Sequence, residues 1–227
     1  FSRLVAAQLG TEHYEIEFRS AQVPEMLAAL VRHLDEPCTT APAGVFYRLA
    51  SLAAGHVKAV LSGEGADELF GGYEWVRLDY PYRLRAAIPP ALFRAVEPWC
   101  PHPRTRKALR IMGAASDRLA DAEWRRSFTP AAKRELLKRE YRSAGPDLEA
   151  FLIPEDTLAT CEDSLQRRLA GDFHARLADG ILFMGDKVSM AHSLEVRFPF
   201  LDRNIVEFAL RLPSRMKVRN GKEKRVL

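Results

Sequence analysis

A short apolar run from Val57 to Leu61 passes directly into Ser62-Gly63-Glu64-Gly65-Ala66-Asp67-Glu68-Leu69-Phe70-Gly71-Gly72, and this junction constrains the fold more than any other stretch. Val57, Ala59, Val60 and Leu61 are the apolar members of a strand, and a strand that ends in a glycine-rich turn suits an open α/β sheet. Ligands of such sheets gather outside the carboxyl ends of the strands. The flanking pattern agrees. Leu4, Val5 and Leu9 share a helical face that stops at Gly10. Tyr14 to Phe18 alternates like a half-buried strand. Val23 to Leu34 places Met26, Leu27, Leu30, Val31 and Leu34 at helical spacing, closed by Asp35-Glu36-Pro37, and Val45 to Ala54 is a second helix ending at Gly55. Strand, helix, helix, strand is the rhythm of a parallel α/β sheet.

Residues 1–80 form this α/β part. Residues 81–146 are rich in Pro and Arg and read as a helical connection, in which Thr129-Pro130 is an N-cap followed by Pro at the first helical position, with a helix expected through Glu140. Residues 147–227 return to helical periodicity. Leu165, Leu169, Phe173 and Leu177 recur at intervals of four, and Asp202 can cap a helix whose Ile205, Val206, Phe208, Ala209, Leu210 and Leu212 pack inward until Pro213. The whole is expected to be one domain. With 47% hydrophobic and 28% charged residues, the chain has the composition of a soluble globular protein. No stretch of about 18 apolar residues occurs, so no membrane span is expected. The first residues, Phe1-Ser2-Arg3, lead into no signal-like apolar segment, and both ends read as cut from a longer chain. The net charge of +4 is spread among acids. The densest basic patch, Arg104 to Arg110, lacks the aromatics that stack on bases and reads as a solvated helical face, not a nucleic-acid site. Cys38, Cys100 and Cys161 are odd in number and form no CxxC pair, which suits a reducing cytoplasm and neither zinc nor a disulfide frame.

Gly63 and Gly65 would let the backbone approach a phosphate closely and aim its amides at it. Glu64, Asp67 and Glu68 oppose that unless a cation mediates. Magnesium sites take one or two protein carboxylates and leave the rest to substrate phosphates, so the loop suggests Mg²⁺ and polyphosphate together. The loop is not a Walker A sequence, since no Gly-Lys-Ser/Thr follows, and it lacks the third glycine of a dinucleotide fingerprint. Val60 stands where a nucleophile elbow needs glycine. On these residues alone, a glycine-rich turn with solvated acids remains open.

A second segment, Gly185-Asp186-Lys187-Val188-Ser189-Met190-Ala191-His192-Ser193-Leu194-Glu195-Val196-Arg197-Phe198-Pro199-Phe200-Leu201-Asp202, adds a cation. Lys187 sits among small and apolar neighbours, where an ammonium is costly unless it faces an anion. Glu195 and Arg197 would share one side of an extended segment, and a structural ion pair is the favoured reading for them.

Together, VLSGEGADELFGGY at 60–73 and DKVSMAHSLEVRFPFLD at 186–202 closely resemble the synthetase domain of glutamine-dependent asparagine synthetases. Asn220 to Leu227 looks like that family's next segment, and Asp35-Glu36-Pro37 and Leu9 to His13 are similar as well. The agreement covers residues 1–80 and 172–227 and is loose between them. The resemblance implies an α/β fold of the ATP pyrophosphatase type, with a largely helical C-terminal part. It also implies activation of aspartate by ATP as β-aspartyl-AMP and attack by ammonia to give asparagine. Carried over, Ser62 and Gly63 would contact ATP, Asp67 would hold Mg²⁺, and Lys187 would stabilise charge on the phosphates. Glu64 would take a proton from the attacking ammonia, with Glu68 left as scaffold. Related β-lactam synthetases carry a tyrosine at the position of Glu64, so the glutamate favours asparagine chemistry.

The same resemblance expects a Ser-Gly-Gly-x-Asp-Ser pyrophosphate loop and a glutaminase domain in the full-length chain. Both are absent here, so residues 1–227 alone are expected to be inactive or nearly so. The partners implied are aspartate, ATP and ammonia or glutamine, with room for a homodimer. A homologous synthetase or cyclase acting on another carboxylate is the alternative enzyme, and a basic, non-catalytic binding module is the alternative of another class.

Overall fold

The computed structural model describes residues 2–17, 19–36, 42–73, 87–142 and 154–227. Phe1, Phe18, Pro37 and Cys38, which figure in the sequence reading, lie outside them. Two short strands, Ala59–Leu61 (β1) and Glu195–Arg197 (β2), pair in parallel, with Ala59 opposite Glu195, Val60 opposite Val196 and Leu61 opposite Arg197. Among the described residues this is the only sheet, and everything else regular is helical. In chain order the first helices are Ser2–Leu9 (α1), Val23–Leu34 (α2), Pro42–Ala54 (α3), Ala66–Phe70 (α4), Pro90–Val96 (α5), Pro103–Met112 (α6) and Asp117–Arg125 (α7). Pro130–Leu136 (α8), Glu155–Ala159 (α9), Ser164–Gly171 (α10), Phe183–Met190 (α11), Arg203–Arg211 (α12) and Ser214–Lys217 (α13) follow. The protein is therefore a mostly helical α/β structure with a small parallel sheet.

The chain forms two compact units, one from Phe1–Glu64 with Ala178–Asp202 and one from Gly65–Leu177 with Arg203–Leu227. In the first unit, α2, α3 and α11 bury Leu30, Leu34, Ala43 and Val188 together, with Met26, Phe46, Tyr47 and Met184 packed around them. Each large aliphatic chain buried in this way stabilises the fold by about 1.5–3 kcal/mol. The α2 pattern predicted Met26, Leu30 and Leu34 correctly, whereas Leu27 and Val31, placed on the same face, are exposed. α1 does not follow its own pattern, for Leu4 and Leu9 are exposed and Ala6 is its buried residue. Nor do the described residues Tyr14 to Glu17 form a strand. Alternation permits a strand, but a strand needs a partner edge, and β1 pairs only with β2 among the described residues. Glu15 instead takes hydrogen bonds from Arg3 and His13, which hold its carboxyl down at about 2.

In the second unit, Leu165 and Leu169 of α10 pack with Tyr73, Trp124 and Val218. Leu177 is also buried, so the interval-of-four face is real. Beyond Gly171 the helix widens into a π-helical stretch, Asp172–Leu182. An interval of four keeps one face aligned in either winding, so periodicity alone does not distinguish them. Thr129 caps α8 by accepting from the Ala132 amide at 3.2 Å, although α8 ends at Leu136, short of Glu140. α12 buries Ala209, and Leu212 just beyond it is buried too, while Phe208 and Leu210 are exposed; three consecutive helical residues cannot all face one side.

The basic patch is less solvated than its composition suggests. Arg106 donates to Cys100 O, and Lys107 donates to Arg126 O and lies 5.7 Å from the centre of the Trp124 ring. Burial, then the neighbouring Arg110 charge, pushes Lys107 down. Among the described residues no helix is long and apolar enough to cross a membrane.

Candidate functional site

The glycine loop begins where the sheet ends. One further bond continues the ladder past β1: the Ser62 amide donates to Arg197 O at 2.9 Å. This pins Ser62 at the carboxyl end of β1 and uses its backbone donor, leaving its hydroxyl as what it can offer a ligand. Gly63 is exposed, and a Cβ built on it meets nothing within 4 Å. Its lack of a side chain is therefore not required by packing, and the space above it is open to a ligand. Glu64 follows, half-buried.

The chain leaves the first unit at Glu64, and from Gly65 the loop changes character. Gly65 has φ +91° at the N-cap of α4, a left-handed conformation that favours glycine, so this glycine serves the turn. α4 closes with Gly71 at φ +71°, and both the Gly71 and Gly72 amides donate to Asp67 O, at 2.9 and 3.1 Å. Glu68, expected to be scaffold, is fully buried and accepts a hydrogen bond from the Tyr73 hydroxyl. The Arg176 guanidinium stacks on the Tyr73 ring at 4.1 Å. Burial, together with the hydrogen bond to Glu68 and its charge, pushes the Tyr73 hydroxyl far up, so Tyr73 is a fixed donor.

Asp67 is engaged as well. Its Oδ1 lies 2.8 Å from Lys224 Nζ, with both side chains a little over one-third exposed. Lys224 adopts φ +45°, which costs a non-glycine residue about 1–3 kcal/mol and persists only where the surroundings fix it. The flanking bond from the Arg225 amide to Lys217 O, at 2.9 Å, is one such tie.

Lys187 belongs to the first unit. Val188 and Ser189 beside it are buried, which fixes the rotation of α11 and leaves Lys187 on its flank. Its ammonium meets the anion that its surroundings demand: Asp35 Oδ2, at 3.2 Å. Asp35 ends α2 in a left-handed conformation, φ 58°. Glu195 and Arg197 form the expected ion pair on β2 at 2.8 Å, both exposed.

The first unit thus holds Ser62, Gly63, Glu64 and Lys187, and the second holds Asp67. Lys224, Asp35, Tyr73 and Arg176 were not singled out by sequence reasoning. For Lys224 a signal existed, the basic run Lys222-Glu223-Lys224-Arg225 inside the segment resembling the family's next motif; Asp35 and Tyr73 also lie in quoted stretches. Arg176 carries no sequence signal at all. Among the described residues no three His, Cys, Asp or Glu side chains are grouped to hold a metal. Asp67 offers one carboxylate, already faced by an ammonium. That disfavours a bare dication but fits magnesium carried on phosphates, which asks for one or two protein carboxylates and brings its own anionic oxygens.

The family model described as asparagine synthase matches residues 1–227. The chain is 31% identical over 230 residues to asparagine synthetase [glutamine-hydrolyzing] 1 of Bacillus subtilis, covering 98% of this chain and 35% of that protein. It is 29% identical over 167 residues to asparagine synthetase [glutamine-hydrolyzing] 3 of the same organism, covering 74% and 22%. With asparagine synthetase B [glutamine-hydrolyzing] of Escherichia coli it shares 36% identity over 72 residues, 30% of this chain and 13% of that protein. The chain spans about a third of the length of the first of these relatives.

Proposed function

Because the chain belongs to the asparagine synthase family, we propose that the protein joins ammonia to the side-chain carboxyl of aspartate at the expense of ATP. The aspartate carboxylate attacks the α-phosphorus of ATP, pyrophosphate leaves, and β-aspartyl-AMP forms. Ammonia, drawn from glutamine by a glutaminase domain of the same protein, then attacks the acyl carbon and displaces AMP. The observation that carries this reading is the loop itself: an open glycine at the end of β1, followed by Asp67 held against Lys224.

The residues divide the tasks. Gly63 admits the nucleotide to the backbone, and Ser62 contributes its hydroxyl. Lys187 gives one of its three N–H groups to Asp35 and keeps two for phosphate oxygens, where its positive charge stabilises the departing pyrophosphate. Glu64 takes a proton from the attacking ammonia as the C–N bond forms. Asp67 is the carboxylate that would hold Mg²⁺ brought by ATP; bound there, the ion would neutralise phosphate charge. The parallel pairing of β1 and β2, with the loop at the carboxyl end of β1, supports the reading of an ATP pyrophosphatase-type sheet. Free thiols at Cys100 and Cys161 accord with a cytoplasmic enzyme, and a homodimer remains compatible with it.

Exchange of labelled pyrophosphate into ATP by the full-length protein tests the reading. Exchange that depends on aspartate supports it; exchange that depends on a different carboxylate, or none at all, overturns it.

A further inference from the structure

We propose that Gly72 is a positioning residue, because the slot left by its missing side chain is where Asp67 and Lys224 meet. A Cβ built on Gly72 would lie 1.8 Å from Asp67 Oδ1, 2.0 Å from Lys224 Cε and 2.9 Å from Asp67 Cγ. These separations lie far inside van der Waals contact, and the atoms met belong to the two partners of the ion pair. The backbone does not itself demand glycine here: unlike Gly65 and Gly71, Gly72 is not among the residues with positive φ. An alanine can adopt this backbone, and what it cannot do is leave the pair in place.

The slot is built from two sides. The Gly72 amide is tied to Asp67 O at 3.1 Å, which holds the glycine Cα over the Asp67 side chain. Lys224 is brought in with φ +45°, and its alkyl stem crosses the face of Gly72 to reach Oδ1 at 2.8 Å. Since the clashing atoms are the far ends of flexible side chains, Gly72→Ala relieves the clash by pushing the carboxylate and the ammonium apart. The fold is kept and the pair is lost. Gly72 touches no substrate and acts only through Asp67 and Lys224.

The activity arm of this inference rests on the function proposed above, and a second arm does not. In the full-length protein, Lys224 and Lys187 are acylated with an N-hydroxysuccinimide ester and their relative labelling rates read by peptide mass spectrometry. Lys187, paired with Asp35 in the other unit, is the internal standard. The expected result is that Gly72→Ala labels Lys224 at least threefold faster relative to Lys187, with a melting temperature close to the parent's. Aspartate-dependent pyrophosphate exchange should fall at least tenfold, chiefly in kcat. An unchanged labelling ratio, or an unchanged exchange rate in a protein whose parent exchanges, overturns the inference. A parent without exchange but with the labelling change defeats the proposed function and leaves the role of Gly72 standing. Should Gly72→Ala fail to fold, it is remade on Lys224→Ala, where the space of Lys224 Cε is free. The double variant is expected to fold, and its failure to do so overturns the inference.

Discussion

Two lysine–aspartate pairs, one in each unit, look alike and are held differently. Lys187–Asp35 spans 3.2 Å and Lys224–Asp67 spans 2.8 Å, with the lysines equally exposed at 37% and 38%. The aspartates differ: Asp35 is 76% exposed and Asp67 is 37% exposed. Water and salt screen the first pair strongly and the second less. Asp35 also stands at the end of a helix, whereas Asp67 lies inside a short helix closed by glycines and roofed by Gly72. The first pair is a loose tether from which an ammonium can turn to a phosphate. The second is a clamp. Identical chemistry gives a movable charge in one place and a fixed one in the other, and the surroundings decide which.

The largest effect should come from removing either charge. Lys187→Met is expected to lower aspartate-dependent pyrophosphate exchange by about 10²–10³-fold, the usual loss when one donor to developing charge is deleted, and Lys224→Met to lower it at least tenfold by releasing Asp67. The comparison is sharpened by what surrounds that loss. Lys187→Met should leave the urea midpoint near the parent's, because Asp35 is returned to water. Lys224→Met should lower it, since Asp67 loses its partner in a less solvated place. Equal midpoints would break the distinction between tether and clamp.

Next in size is the support beneath the clamp. Tyr73→Phe removes the hydroxyl that donates to the buried Glu68 carboxylate. A buried acceptor left without its donor costs about 1–3 kcal/mol, which urea unfolding will read. A change well under that range would mean that Glu68 is satisfied without the Tyr73 hydroxyl.

The same contrast explains what could be seen in the sequence. The α2 face, the Thr129 cap, the Glu195–Arg197 pair and the glycine loop were legible because each depends on neighbours a few residues apart. Lys187 was legible because small and apolar neighbours around a lysine imply an anion. The identity of that anion was not, for Asp35 is 152 positions away. Lys224 and Gly72 were missed for a related reason: a glycine next to a turn looks conformational, and only three-dimensional proximity shows that its task is steric. The exposed side of α1 and the absent strand at Tyr14 to Glu17 failed in the opposite sense. There the local pattern was present, and no partner surface among the described residues uses it.

Acid should separate the two regions further. His192, just beyond Lys187 on the chain, packs against Tyr47 with ring centres 4.4 Å apart and the rings tilted by 59°. Burial, then the His33 charge, pushes its imidazole below the ordinary value of about 6.5. Between the folded and unfolded values the unfolded chain binds more protons, so stability rises with pH there. On acidification from pH 7 the first unit therefore loses stability as the pH drops through about 6.5, and the loss levels off once the pH is below the folded value. His192→Gln should flatten that fall in urea midpoints measured between pH 7 and pH 5. A wild-type fall that persists undiminished in the variant would assign it to other groups. Tyr73 holds its proton across this range, so its hydrogen bond to Glu68 is kept.

The smallest effect is expected from Asp35→Asn. A pair with one partner largely in water contributes about 0.2–1 kcal/mol, and what remains is screened as salt rises toward about 1 M, where charges interact over only about 3 Å. The variant should unfold within that margin of the parent in dilute buffer and indistinguishably from it in high salt. Pyrophosphate exchange should change by a few-fold at most, because Lys187 keeps its charge and its place on α11, which Val188 sets from the core. Asp67→Asn measured beside it should lose more on both counts and keep more of that loss in salt. If Asp35→Asn instead costs as much as Asp67→Asn, then Asp35 aims the ammonium and does not merely hold it, and the first pair is a clamp as well.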